Sequence, residues 1–304
     1  MILIFGAGGQ LGLELQRSAM QRAVPFAAFT RAEADITDAG AVSRALDEIR
    51  PAAVVNAAAY TKVDVAETEI NAARLVNETG PGVIAAACAS RHMPLIHIST
   101  DYVFDGEKSG AYVESDTVAP LGVYGRSKAA GEAAVRATTV RHIILRTSWV
   151  YGEFGNNFLK AILRLSQDHD ELRIVADQRG CPTSARDLAE AILRIAPELT
   201  DENNLYGTYH FAGTGATSWH GFATRIIEAQ AQITGRHPRV TAITTSDYPT
   251  AARRPANSVL DCSLFERTFG FRANDWTSET DAITKQLAKR QQLNIQAKQQ
   301  RQCE

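Results

Sequence analysis

Three side-chain types that together can reduce a carbonyl stand at Thr100, Tyr124 and Lys128. Thr100 closes an apolar run that ends Ser99-Thr100-Asp101. Tyr124 and Lys128 lie in Tyr-Gly-Arg-Ser-Lys, and their i,i+4 spacing puts both on one helix face. An ammonium beside a phenol favours the phenolate. The pattern therefore predicts a lowered Tyr124 pKa and a proton donor usable near neutrality. Tyr-x-x-x-Lys alone also describes an ordinary surface helix pair, so its weight comes from the N-terminus.

There an apolar strand, Met1-Ile2-Leu3-Ile4-Phe5, runs into Gly6-Ala7-Gly8-Gly9-Gln10-Leu11-Gly12. Backbone approaches a pyrophosphate closely only where side chains are missing. The helix that follows offers free N–H groups and partial positive charge. Gly6, Gly9 and Gly12 keep a three-residue spacing, whereas the ordinary dinucleotide fingerprint would place a glycine where Leu11 stands. A tight turn without a ligand is the alternative, and the strand–turn–helix context favours a nucleotide. The second strand, 24–29, ends at Thr30-Arg31 with no acidic residue for a ribose 2′-hydroxyl. Arg31 can pair with a 2′-phosphate or stay solvated. NADPH is thus expected ahead of NADH, with Asp35-Ile36 flanking the adenine.

The elements that must position these residues alternate along the chain. Strand patterns at 2–5, 24–29, 53–57, 95–100 and 143–150 are separated by helical patterns at 10–20, 39–49, 69–91 and 124–137. That order predicts an α/β fold, a Rossmann-type doubly wound parallel sheet with right-handed crossovers. Ligands bind outside the carboxyl ends of such strands. Gly6, Ala57-Ala58-Ala59, Ser99-Thr100 and Thr147-Ser148-Trp149 all fall at such ends and should share one crevice. After Tyr151, Gly, Asn, Pro and Trp become frequent, which reads as a smaller C-terminal α/β substrate lobe. We therefore expect an NADP(H)-binding domain over 1–150, with about 177–200 returning to it, and a mostly substrate-binding lobe over 151–304. Lys285 to Glu304 reads as an exposed helix or frayed polar tail.

Composition narrows the class. A chain of 304 residues, 45% hydrophobic, can bury a large core. Its net charge of −2 gives no reason to expect nucleic acid or an anionic membrane as a partner. No apolar run reaches the ~18 residues a bilayer span needs. A core strand at the first residues argues against a signal peptide. Cys88, Cys181, Cys262 and Cys303 are scattered without metal-ligand spacing, and no His-x-x-x-His pair occurs among the seven histidines. No metal site is expected, and reduced thiols fit a cytoplasmic enzyme.

With these residues placed, the chain resembles the extended short-chain dehydrogenase/reductases, and among them the dTDP-4-dehydrorhamnose reductases. The resemblance spans nearly the whole chain. It is carried by Phe5-Gly6-x-x-Gly9-Gln10-Leu11-Gly12, Asp35-Ile36-Thr37-Asp38, Val55-Asn56-Ala57-Ala58-Ala59-Tyr60-Thr61-x-Val63-Asp64 and Ser99-Thr100-Asp101-Tyr102-Val103-Phe104-Asp105-Gly106. Further carriers are Tyr124-Gly125-x-Ser127-Lys128-x-x-Gly131-Glu132, Arg146-Thr147-Ser148-Trp149-Val150-Tyr151, Asn156-Asn157-Phe158, Asp177-Gln178-x-Gly180-x-Pro182-Thr183 and Tyr248-Pro249-Thr250-x-Ala252-x-Arg254-Pro255.

The resemblance implies NADPH-dependent reduction of the C4 keto group of dTDP-4-dehydro-L-rhamnose, the last step of dTDP-L-rhamnose biosynthesis. By the same resemblance Tyr124 is the acid, Lys128 its partner on the nicotinamide ribose, and Thr100 a hydroxyl on the substrate carbonyl. Ala59, Tyr60 and Thr61 line the cofactor. Val63, Asp101, Trp149, Asn157 and Phe158 touch the substrate, and Arg254 pairs with its diphosphate. Trp149 is otherwise a core aromatic, Asp101 a turn residue and Arg254 a surface charge. Some relatives hold magnesium on glutamates between subunits. Glu14 matches one such position, but Arg186 stands where a second carboxylate is sought, so magnesium is not supported; a homodimer remains compatible. Two rivals share the fold. One is an epimerase or 4,6-dehydratase, although no Glu follows Asp101. The other is a non-catalytic regulatory subunit like the beta subunit of methionine adenosyltransferase, against which the joint presence of Thr100, Tyr124 and Lys128 speaks.

Overall fold

The computed structural model describes residues 1–303. Its first half contains β1 (Ile2–Phe5), α1 (Gln10–Gln21), β2 (Phe26–Phe29), α2 (Ala39–Ile49), β3 (Ala53–Asn56), α3 (Val63–Ala66), α4 (Ile70–Arg74), α5 (Gly80–Ala89), β4 (Leu95–Thr100), α6 (Val123–Thr138) and β5 (His142–Thr147). Then come β6 (Val150–Tyr151), α7 (Phe158–Asp168), β7 (Glu171–Val175), β8 (Arg179–Gly180), β9 (Thr183–Ser184) and α8 (Ala185–Ile195). The chain continues through β10 (Gly207–His210), β11 (Thr217–Ser218), α9 (Trp219–Thr234), β12 (Arg239–Ile243), α10 (Ser263–Phe269) and α11 (Trp276–Cys303). Among the described residues no helix is long and apolar enough to cross a membrane.

Six strands form one parallel sheet in the order β10-β5-β4-β3-β1-β2. β1 is buried on both faces, as a central parallel strand covered by helices must be. Ile2 and Ile4 pack with Leu15, Leu188 and Ile192 from α1 and α8. Leu3 and Phe5 face Leu46 of α2 and Ile84 of α5. The strand order reverses between β1 and β3, which makes their carboxyl ends the switch point where this architecture opens a crevice. A second core, with Tyr151, Leu159, Ile162, Phe222, Ile226 and Ile283, holds the lobe built from α7, α9, α11 and the pair β7–β12.

Three boundaries differ from the sequence reading. The second strand begins at Phe26, because Pro25 has no N–H to give a ladder. The helical pattern 69–91 is broken: α4 passes through a π-helical turn, Leu75–Thr79, into α5. Pro81 lacks the N–H that would bond the Asn77 carbonyl, and the helix widens around that gap. The strand expected over 143–150 stops at Thr147, and Trp149 turns away with φ 46°. The polar stretch from Lys285 is helical to Cys303 as the end of α11, a helix that buries Ile283, Thr284 and Ala288; Glu304 lies outside the described residues.

Candidate active site

Thr100 ends β4, and Tyr124 and Lys128 occupy the first turns of α6, which packs on that strand. The α6 N-terminus is anchored by Glu67, whose carboxylate accepts the Val123 N–H at 2.7 Å. The Tyr124 phenol lies beside the Thr100 side chain, and Tyr102 meets the Tyr124 ring edge-on at 5.8 Å. Thr100 donates its single proton to Asp101 Oδ1 at 2.9 Å, while Ser148 donates to Oδ2 at 2.9 Å. In this arrangement Thr100 is not free to donate to a carbonyl, contrary to the role its family position implied.

The electrostatics also correct an expectation. Burial pushes the Tyr124 phenol up to about 12; the Thr100 contact opposes this and the Asp101 charge reinforces it. Lys128 does not lower it, because its ammonium, 2% exposed, donates to the Ile98 carbonyl at 2.6 Å. Burial lowers Lys128 itself to about 8, against the attraction of Glu132. Burial also lifts Asp101 to about 6 despite hydrogen bonds from Ser258, Thr100 and Ser148.

At the switch point Gly6 has φ 86°, and a Cβ there would lie 2.6 Å from the Ala58 nitrogen. A Cβ on Gly12 would lie 2.2 Å from the Gly6 carbonyl oxygen. This turn therefore needs bare backbone. No side chain caps α1 at Gly9, so its first N–H groups stay available to an anion. Nearby, Arg31, Ala59, Tyr60, Thr61, Glu69 and Leu75 line a cleft of about 410 Å³. These features fit a dinucleotide. Three assignments change. Gln10 turns away from the glycine turn, bonding the Val150 carbonyl and Asn157. Arg31 is exposed and paired with Asp35 at 3.0 Å. Ile36 is buried in the core against the start of α5.

The substrate candidates divide. Asp101 joins Thr100 and Tyr124, and Val63 opens α3, which packs against α6. Arg254 is engaged: it holds Asp64 with two bonds of 3.0 and 2.7 Å. Asn157 caps α7 through Lys160 N–H and donates to Gln10 and the Gly152 carbonyl, which accounts for its side chain structurally. Trp149 is half-buried and stacked on Trp219, and Phe158 reaches it only through Trp219. Sequence reasoning missed Trp219, whose only mark was a tryptophan at a helix start.

It also missed the buried pair Glu132–Arg146. Arg146 on β5 makes two bonds to Glu132 at 2.9 and 2.8 Å, and Ser99 adds one at 2.6 Å. Burial works against this carboxylate, but Arg146 and Ser99 hold its pKa low. The signal was present, since Glu132 follows Lys128 at the same four-residue step. As for metal, Glu14 is buried and already paired with Arg17, with Arg186 at 3.9 Å. A carboxylate facing two guanidiniums does not fit a cation site.

The sequence as a whole matches the family described as RmlD substrate binding domain, over residues 1–289. The chain belongs to this family. A dTDP-4-dehydrorhamnose reductase of Aggregatibacter actinomycetemcomitans is 46% identical over 279 residues, 90% of this chain and 95% of that protein. The solved dTDP-4-dehydrorhamnose reductase of Clostridium acetobutylicum is 39% identical with a TM-score of 0.87, covering 94% of this chain and 99% of the other. That of Bacillus anthracis, solved in complex with NADP, is 35% identical with a TM-score of 0.86, covering 93% and 97%.

Proposed function

We propose that this chain reduces the C4 keto group of dTDP-4-dehydro-L-rhamnose with NADPH, yielding dTDP-L-rhamnose. The observation that carries the reading is the cluster of Tyr124, Thr100 and Asp101, set at the carboxyl end of β4 in a family whose named relatives are reductases. NADPH, when bound, supplies the hydride. Its pyrophosphate belongs on the bare turn Gly6–Gly12, its adenosine end beside Arg31 and Asp35, and its nicotinamide end toward Ala59, Tyr60 and Thr61. The sheet with its returning segments holds the dinucleotide, and the lobe after Tyr151 holds the sugar nucleotide. The free thiols of Cys88 and Cys181 suit a reducing, cytoplasmic setting.

Tyr124 then gives its proton to the C4 oxygen. A phenol held near 12 stays protonated at neutral pH and still transfers readily to an alkoxide, which is far more basic. Lys128, one turn further on, donates to the Ile98 carbonyl and would hold the nicotinamide ribose, the role its family position implies.

The test is NADPH oxidation with dTDP-4-dehydro-L-rhamnose, with the product identified. Tyr124→Phe is expected to lower kcat by ~10²–10⁴-fold, with the Kd for NADPH nearly unchanged. A wild-type chain that binds NADPH and turns over no 4-keto sugar nucleotide would instead be a binding subunit.

A further inference from the structure

Three consecutive residues of β4 each meet one residue of a single face of α6. The Tyr124 phenol lies beside Thr100, the Ser99 hydroxyl donates to Glu132 at 2.6 Å, and the Lys128 ammonium donates to the Ile98 carbonyl at 2.6 Å. Tyr124, Lys128 and Glu132 follow one another at four-residue steps, which places them in a row with Cβ atoms ~5–6 Å apart at each step. α6 has no room to slide against these partners. A Cβ on Gly125 would lie 2.2 Å from the Tyr102 carbonyl oxygen, and one on Gly131 2.0 Å from that of Asn77. The two charges in the row are placed differently. Lys128, 2% exposed, has a carbonyl as its hydrogen-bond partner and no carboxylate against it. Glu132 is fully buried and uses both oxygens: Oε1 accepts from Ser99 and Arg146, and Oε2 from Arg146 and, at 3.1 Å, from Arg136. A buried ammonium is unfavourable unless an opposite charge lies near. The other titratable groups around α6 are committed or neutral. Asp101 takes Thr100 and Ser148, Asp64 takes Arg254, Glu67 takes the Val123 N–H, Glu78 pairs with Arg74, and Tyr60 donates to Glu69. Burial keeps His97 and His142 uncharged and pushes up the Tyr102 phenol and the Cys88 thiol.

We infer that Glu132 is a positioning residue for the reduction: its buried carboxylate, held by Ser99 and Arg146, is the counter-charge that keeps Lys128 cationic on the Ile98 carbonyl, and so sets the upper pH limit of turnover. This rests on the reading that Lys128 serves the reduction. Both Glu132 oxygens are occupied, so the influence runs through space along the helix face, where little water screens it. Arg146 anchors the carboxylate and, as a cation, pulls against it. The two residues therefore act on Lys128 with opposite sign. The balance agrees with the direction at Lys128 itself, where burial lowers the ammonium to about 8 against the attraction of Glu132.

The experiment compares Glu132→Gln, Arg146→Gln and Ser99→Ala with the wild-type full chain by two readouts. One is kcat/KM for dTDP-4-dehydro-L-rhamnose against pH, at saturating NADPH. The other follows Lys128 itself by NMR of chains carrying carbon-13 at lysine Cε, the resonance being identified by its absence in Lys128→Arg. Both should place the wild-type midpoint near pH 8. Glu132→Gln removes the counter-charge and should move both midpoints down by about one pH unit, as loss of a close opposite charge does. Its kcat/KM should then fall about tenfold at about pH 9 and change less than about twofold at about pH 6.5. Arg146→Gln removes the opposing cation and should move both midpoints up; it also serves if Glu132→Gln fails to fold. Ser99→Ala takes a donor from Glu132 and no charge from the site. It should lower the melting temperature and leave the midpoints in place. A merely structural Glu132 predicts another pattern, with activity following stability at every pH and a fixed midpoint. Unmoved NMR midpoints in folded Glu132→Gln and Arg146→Gln overturn the role of Glu132. NMR midpoints that move while kcat/KM shows no limb at the same pH overturn instead the reading of Lys128 on which it rests.

Discussion

Asp101 shows how strongly one buried carboxylate can bear on both chemistry and stability. It is 2% exposed, and burial lifts it from 3.8 to about 6. Between those values the folded chain keeps a proton that the unfolded chain has lost. Stability therefore falls as pH rises through that window, and the cost is fully present above about 6. Two pKa units correspond to ~3 kcal/mol. Asp101→Asn is expected to raise the melting temperature at neutral pH, with the gain disappearing below about pH 4, where Asp101 is protonated in both states. It should also lower kcat, because the amide offers one acceptor oxygen where Thr100 and Ser148 each had one, so one of the two hydroxyls must reorient. Thermal unfolding at several pH values checks the first outcome, and turnover the second. Lys128 gives the opposite slope. Burial lowers it from 10.5 to about 8, so stability rises with pH between those values, while the ammonium beside Tyr124 is lost. The profile of kcat/KM, which reports the free enzyme, should show a basic limb near pH 8.

At the scale of elements, the site depends on how closely backbones approach. The turn between β1 and α1 touches the chain just beyond β3 at Ala58, and Gly12 lies against the Gly6 carbonyl oxygen. Gly12→Ala forces that turn open. It should cost ~1–3 kcal/mol of stability, the usual range for overpacking. It should also weaken NADPH binding by more than about tenfold, because donors in a displaced turn no longer meet the pyrophosphate. Fluorescence titration with NADPH reads the loss, and wild-type affinity in a folded Gly12→Ala chain would remove this turn from the cofactor site. α6 is held just as closely: a Cβ on Gly131 would lie 2.0 Å from the Asn77 carbonyl oxygen. Glu67 at its start and Glu132 on Arg146 fix where its Tyr124 face points.

Across the whole molecule, Glu153 ties the helix layer on the parallel sheet to the lobe. Its carboxylate accepts from Arg17 of α1 at 2.5 Å, from Gln286 of α11 at 3.0 Å and from Arg290. The first and last long helices therefore meet on one carboxylate, 11% exposed. Glu153→Gln keeps the shape and removes the charge. It is expected to destabilise the chain by about 1–3 kcal/mol, as loss of hydrogen bonds to a charged group does, and to reduce the dependence of stability on salt. Urea unfolding at low and high salt measures both. The Gln10–Asn157 bond between α1 and α7 and the pair Arg254–Asp64 add further ties across the long sequence separations.

What the sequence determined by itself was local. Gly6, Gly9 and Gly12 after an apolar strand specify a bare turn because glycine alone permits that approach, and Tyr124 and Lys128 share a face because a helix repeats every 3.6 residues. Strand and helix alternation likewise implied the parallel sheet, since right-handed crossovers leave few other arrangements. What tertiary structure decided was which partner each side chain found. Arg254 met Asp64, 190 residues away, Asn157 met Gln10, and Trp149 met Trp219. The direction of the Tyr124 shift belongs with these. Spacing placed an ammonium one turn away, but only the folded chain showed that ammonium turned to the Ile98 carbonyl and the phenol buried beside Thr100 and Asp101. Periodicity records which face a residue lies on; it carries no record of distant partners or of how far water is excluded, and those set a proton's energy.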